Sequence, residues 1–182
     1  MLAIDESKLY SLIEIFKEGF KENFLEEKYK WEAVKHFQDN WNIDAEDFPM
    51  MLSNALSKTG NLLAALNFFP RRMIKQYATR FPKEVKGLFE GLFNESSDLK
   101  DRIDAFIAGV EYIHKQWDGN GTLNHYQTFN AVSTYLWLRY PDKYYIYKPS
   151  VAKLMFEKLG VDMKLTPLKA NAVIKTYELY DS

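Results

Sequence analysis

A single, mostly α-helical domain of about eight or nine helices is the fold class this sequence predicts, and three observations lead there. Apolar residues recur at three- and four-residue steps through most of the chain. Aspartates, and prolines suited to a first helical turn, stand where those periodic stretches begin. Only Lys143 to Tyr147 is rich enough in β-favouring side chains to suggest a strand, so the one short β element is expected near residues 143–147. A length of 182 residues suits one domain, residues 1–182, with a substantial core, and 47% hydrophobic content excludes a disordered chain.

Asp5 caps the first expected helix, in which Leu9, Leu12, Ile13, Phe16, Phe20 and Phe24 form one face. A second carries Trp31, Val34, Phe37 and Trp41. A third starts at Asp44 and stops near Gly60. Pro70 and Pro82 open "PRRMIKQYATR" and "PKEVKGLFEGLF", since a proline at the first helical position loses no needed hydrogen bond. A longer helix from Ser97 or Asp98 places Leu99, Ile103, Phe106, Ile107, Val110, Ile113 and Trp117 together, and "DGNGTLN" ends it with turn chemistry. Phe129 to Tyr140, Ser150 to Leu159 and a last helix from Thr166, with Pro167 in its first turn, complete the chain. Trp31, Phe37, Phe106, Val110 and Leu136 are the expected core residues.

Composition removes several chemistries. The absence of cysteine excludes disulfides, thiolate metal sites and cysteine nucleophiles. No apolar run approaches the length of a membrane span and no signal peptide opens the chain, so a cytoplasmic protein without a membrane partner is expected. None of the eight glycines sits in a phosphate-loop context. Glu32 with His36 and His114 with Asp118 fall at i,i+4, but each pair lacks a third ligand, and His125 reads as structural. No catalytic residue, metal site or cofactor is therefore assigned. Gly87 and Gly91 read as a point of close helix packing.

Charge is uneven although the net is -1. Met1 to Phe48 holds six Lys against twelve Asp or Glu, whereas Arg71, Arg72, Lys75, Arg80, Lys83 and Lys86 face only Glu84. A second basic stretch, "RYPDKYYIYK" from Arg139 to Lys148, interleaves four tyrosines with Arg139, Lys143 and Lys148. As a strand it sends Lys143, Tyr145 and Tyr147 outward and Tyr144 and Ile146 inward. Phenols beside cations suit stacking on a base with phosphate held alongside, and equally suit rings buried with their hydroxyls wet.

The stretches "YKWEAVKHFQDNWNIDAEDFPMML", "NLLAALNFFPRRMIKQYATRFPKEVKGLFEGLFNESSDLKDRIDAF" and "NHYQTFNAVSTYLWLRYPDKYYIYK", in this order, resemble the segment upstream of the AAA+ motor in McrB-like proteins, the GTP-dependent subunits of modification-dependent restriction systems. The resemblance covers roughly Tyr29 to Lys158. It implies an accessory N-terminal domain excised from a longer AAA+ protein, with the motor in the same polypeptide and an McrC-type nuclease as partners. The motor and its nucleotide motifs are missing here, so no catalytic residue carries over. Three readings stay open: a DNA-binding specificity module using Arg71, Arg72, Lys75, Arg80, Arg139, Lys143, Tyr145, Tyr147 and Lys148; a protein-interaction module docking on the motor or another partner through the acidic N-terminal helices; and a small helical enzyme.

Overall fold

The computed structural model describes residues 4–117, 121, 124–161 and 169–181, and of residues 21–23 the backbone alone. Its helices are α1 (Glu6–Asn40), α2 (Phe48–Ala55), α3 (Gly60–Leu63), α4 (Pro70–Arg80), α5 (Pro82–Phe93), α6 (Leu99–Gln116), α7 (Phe129–Arg139), α8 (Pro149–Lys158) and α9 (Ala170–Tyr180). The mainly helical fold class holds. No strand occurs among the described residues; an isolated antiparallel bridge joins Ala65 and Phe68.

Caps and prolines act where the sequence places them. Asp5 accepts the amides of Ser7 and Lys8, and Asp98 those of Lys100 and Asp101, satisfying donors that a helix start otherwise leaves free. Pro70, Pro82 and Pro149 each open a helix. Phe81 ends α4 and begins α5 because Pro82 pushes it out of helical geometry, to φ -132 and ψ 60. Two boundaries differ from expectation. The first two helices are one helix of 35 residues, because no breaker lies between Phe24 and Trp31 and Glu27 and Lys30 pair across that join. The cap of α2 is Asp47, which accepts the amide of Met50 at 2.9 Å, rather than Asp44. The expected start of the last helix at Thr166 lies outside the described residues.

The core is arranged around α7. Ala131 to Leu138 are all buried, and α1, α3, α5, α6 and α9 pack against this helix. Phe37, Phe106, Val110 and Leu136 are buried as expected. Trp31 is not: it is 53% exposed and meets the core edge-on at Trp137. The glycine reading is also corrected. A Cβ on Gly87 or Gly91 would meet open space, whereas one on Gly109 would collide with the side chain of Leu88, so Gly109 is where α5 and α6 approach most closely.

Phe106, packed between the rings of Phe89 and Tyr135, sets a stability test. Phe106→Ala is expected to cost about 3–5 kcal/mol in urea denaturation. Trp31→Ala, losing a ring that is already half in water, should cost clearly less; equal losses would contradict this picture of the core.

Candidate functional site

The basic stretch on α4 is accessible. Arg72, Lys75, Gln76 and Thr79, at i, i+3, i+4 and i+7, share the outer face of the helix, while Met73, Ile74, Tyr77 and Ala78 are buried on the other. With Arg71, Ala64 and Phe69 they line an open concavity of about 500 Å³. Arg71, Arg72, Lys75, Arg80 and Lys83 have no ion pair among the described residues, whereas Lys86 reaches Asp44 and Glu90. Arg71 is held by one contact, Nη1 donating to the carbonyl of Ser57 at 3.0 Å. Ser57 lies in turn beside His36, whose Nε2 donates to the Asn54 carbonyl at 2.9 Å and so ties α1 to α2.

The tyrosine segment behaves differently from the expected strand. Its backbone is satisfied by side chains instead of a partner strand: Ser133 Oγ accepts from the Tyr147 amide, Asn130 Nδ2 donates to the Tyr147 carbonyl, and the Tyr177 hydroxyl donates to the Tyr145 carbonyl. The alternation of faces is lost with the strand. Tyr144 and Tyr147 are buried, the latter only 1% exposed, while Tyr145 and Ile146 are half-buried. Tyr145 donates to Asp181 at 3.0 Å. Lys143 bonds both oxygens of Glu95 at 2.9 Å, Lys148 is exposed at the start of α8, and Arg139 lies 5.1 Å over the Tyr140 ring. Among the described residues no hydrogen bond, ion pair or ring contact joins this segment to Arg71, Arg72, Lys75 or Arg80.

Under that segment lies Arg102, which sequence reasoning did not single out. It is 6% exposed, and its Nη atoms donate to the Leu92 carbonyl at 3.0 Å and the Tyr144 hydroxyl at 2.9 Å. Tyr144 passes its own proton toward Glu95 at 3.2 Å. The chain from Arg102 through Tyr144 and Glu95 to Lys143 ties α6 to the tyrosine segment and fixes it in place.

An exposed apolar stripe runs along α1. Both ends of this helix are anchored: Ile4, Leu9 and Leu12 meet Phe156, Leu159 and Leu179, and Ala33, Val34 and Phe37 enter the core. Between them, from residue 13 to residue 28, every described side chain is exposed. Ile13, Phe16, Phe20, Phe24 and Trp31 nevertheless line one side, with successive phenylalanine rings 5.6 Å apart. Of the charges beside them, Lys17 pairs with Glu14 and Lys28 with Glu32 within the helix.

His114 and His125, far apart in sequence, meet edge-on with ring centres 5.8 Å apart. The Tyr77 hydroxyl lies 2.7 Å from His114 Nδ1, and burial pushes the phenol's pKa up. Burial and the nearby His114 ring lower that of His125, whose Nδ1 accepts the Gln127 amide at 2.9 Å. Among the described residues no three His, Asp or Glu side chains gather as a metal site, and no helix is long and apolar enough to cross a membrane. Comparison with protein-family models, with curated proteins and with solved structures gave no match.

The Glu95 link predicts an acid response. Hydrogen bonds from Lys143, and then from Tyr144, hold the Glu95 carboxyl below its ordinary value of 4.5. A carboxylate depressed on folding contributes stability above the unfolded value and loses it as pH falls through the folded one. Between pH 6 and 3 the urea midpoint should therefore fall more steeply for the wild type than for Glu95→Gln, by a small margin because the pair is exposed. Parallel curves would show that the link adds nothing.

Proposed function

We propose that this chain is a docking module that holds another protein through the middle of α1. The observation that carries this reading is the apolar stripe from Ile13 to Trp31, left uncovered on a helix fastened at both ends. At about 1.5 Å per residue it runs for about 27 Å, the length of an ordinary helix-in-groove contact. Its half-exposed aromatic rings leave on the order of 500 Å² of apolar surface, near the upper end of what a monomer keeps in water. Aromatic anchors with a charged rim are also the composition of an interface centre.

The flanks argue for a protein in place of a lipid surface. A helix lying on a membrane carries an excess of Lys and Arg on its polar face, whereas here carboxylates outnumber lysines and the pairs neutralise one another. Anchoring at both ends also lowers the ordering cost that a free helix would meet on binding. The resemblance seen in the sequence makes the AAA+ motor of an McrB-like protein the first partner to try.

Two measurements test the reading. Co-expressed with such a motor, the tagged wild-type chain should retain it, and the double variant Phe16→Asp, Phe20→Asp should lose it. The same variant should lose fluorescence enhancement of an apolar dye while its circular dichroism and urea midpoint stay unchanged, because both rings are already largely in water. Equal retention and equal dye binding by the two proteins would refute docking through α1, and sedimentation would show whether a second copy takes the stripe instead.

A further inference from the structure

The α4 concavity combines features that the α1 stripe does not use. We infer that it binds a compact phosphate-bearing ligand, with the phosphate between Arg71, Arg72 and Lys75.

Three cations stand within five residues of one helix, and no carboxylate is among the residues lining the concavity. Elsewhere the described lysines commonly have a partner, as Lys35 has Asp39, Lys100 has Asp104 and Lys143 has Glu95. Cations held together without an acid repel one another, and a dianion placed among them relieves that repulsion while gaining charge-assisted hydrogen bonds.

The contact of Arg71 with the Ser57 carbonyl uses one Nη, which leaves other N–H groups of the guanidinium for a forked hold on phosphate oxygens. The first turn of α4 has no side-chain cap, so its opening amides have no side-chain acceptor. That turn is also fixed, because the Pro70 carbonyl accepts from Gln127, itself buried and bonded to Tyr135. A phosphate would thus meet donors already in place.

About 500 Å³ falls in the range of small-molecule sites and exceeds the need of a lone phosphate. Beyond the cations, Gln76 and Thr79 offer polar atoms, and the Thr79 hydroxyl already donates to the Lys75 carbonyl and keeps its lone pairs available. Phe69, braced edge-on by Tyr126 with ring centres 5.5 Å apart, supplies an apolar wall. Cations at one end and an aromatic ring near them suit a nucleotide-sized phosphate ester. A polynucleotide is disfavoured: Arg80 and Lys83 continue the cations but do not line the concavity, and the tyrosine segment that would extend the track further is fastened to α6 and α9 with Tyr147 buried.

The test is a titration of the ¹⁵N-labelled full chain at constant ionic strength with inorganic phosphate, AMP, sodium chloride, and single-stranded and duplex oligonucleotides. Saturable shifts in the first turns of α4 with AMP, at least tenfold tighter than with phosphate, are expected. They should vanish in Arg72→Glu, Lys75→Glu and persist in Arg72→Lys, with circular dichroism unchanged in both. Phosphate binding as tightly as AMP would support the site with the free anion as its ligand. No saturable shift, the same shift from chloride, or an oligonucleotide binding more tightly than AMP with a steep salt dependence would overturn the proposal.

Discussion

The rest of the structure depends on α7 having no face in water. A helix buried from Ala131 to Leu138 must be surrounded, and it must also satisfy its own polar groups without solvent. Ser133 and Thr134 donate back to the Asn130 carbonyl, and Ser133 then accepts the amide of Tyr147. The Tyr135 hydroxyl donates to Gln127, whose own amide donates to the Pro70 carbonyl. Two distant pieces of the surface are therefore set from one buried helix: the tyrosine segment through Ser133, and the first turn of α4 through Gln127. Their chemistry differs, but their rigidity has a common origin.

Most of the helices were legible in the sequence because their signals are local. Asp5 and Asp98 are caps, Pro70 and Pro82 are first-turn residues, and the apolar face of α6 repeats at helical spacing. What was not legible depends on contacts distant in sequence. Nothing near Tyr145 and Tyr147 reveals that Tyr177, Asn130 and Ser133 will take the backbone bonds a partner strand would have made. Arg102 reads as one more surface charge on α6 until Tyr144 arrives from 42 residues away to receive it. Trp31 misled for a related reason. Periodicity identifies an apolar stripe, but it does not say whether a neighbour covers it, and on α1 the cover ends near Val34.

The same distinction governs the candidate surfaces. Counting charges shows an acidic N-terminal quarter and a basic stretch around α4, yet the two are not equivalent once paired. Four carboxylates of α1, those of Glu14, Glu27, Glu32 and Asp39, are engaged with lysines three and four residues away, which offsets much of the acidic charge there. On α4 no acids alternate with the cations, and the charge stays available. An unpaired minority of charges is a stronger sign of an anion contact than the net count, because local pairs screen one another before any ligand arrives.

The two surfaces also share a mechanical connection. Arg71 grips the Ser57 carbonyl, Ser57 lies beside His36, and Asn40 and Asn54 bond to each other at 2.7 Å, so the α4 concavity and the inner end of α1 meet at the turn after α2. An anion held by the remaining N–H groups of Arg71 would leave the Ser57 contact in place, so the guanidinium would join the anion to the turn after α2. His36, bonded to Asn54, carries that tie on to α1. The core beneath, with Phe37 stacked on Trp41, would resist any movement passing further. The α4 concavity and α1 are thus linked at the turn after α2, with Arg71 on one side of Ser57 and His36 on the other.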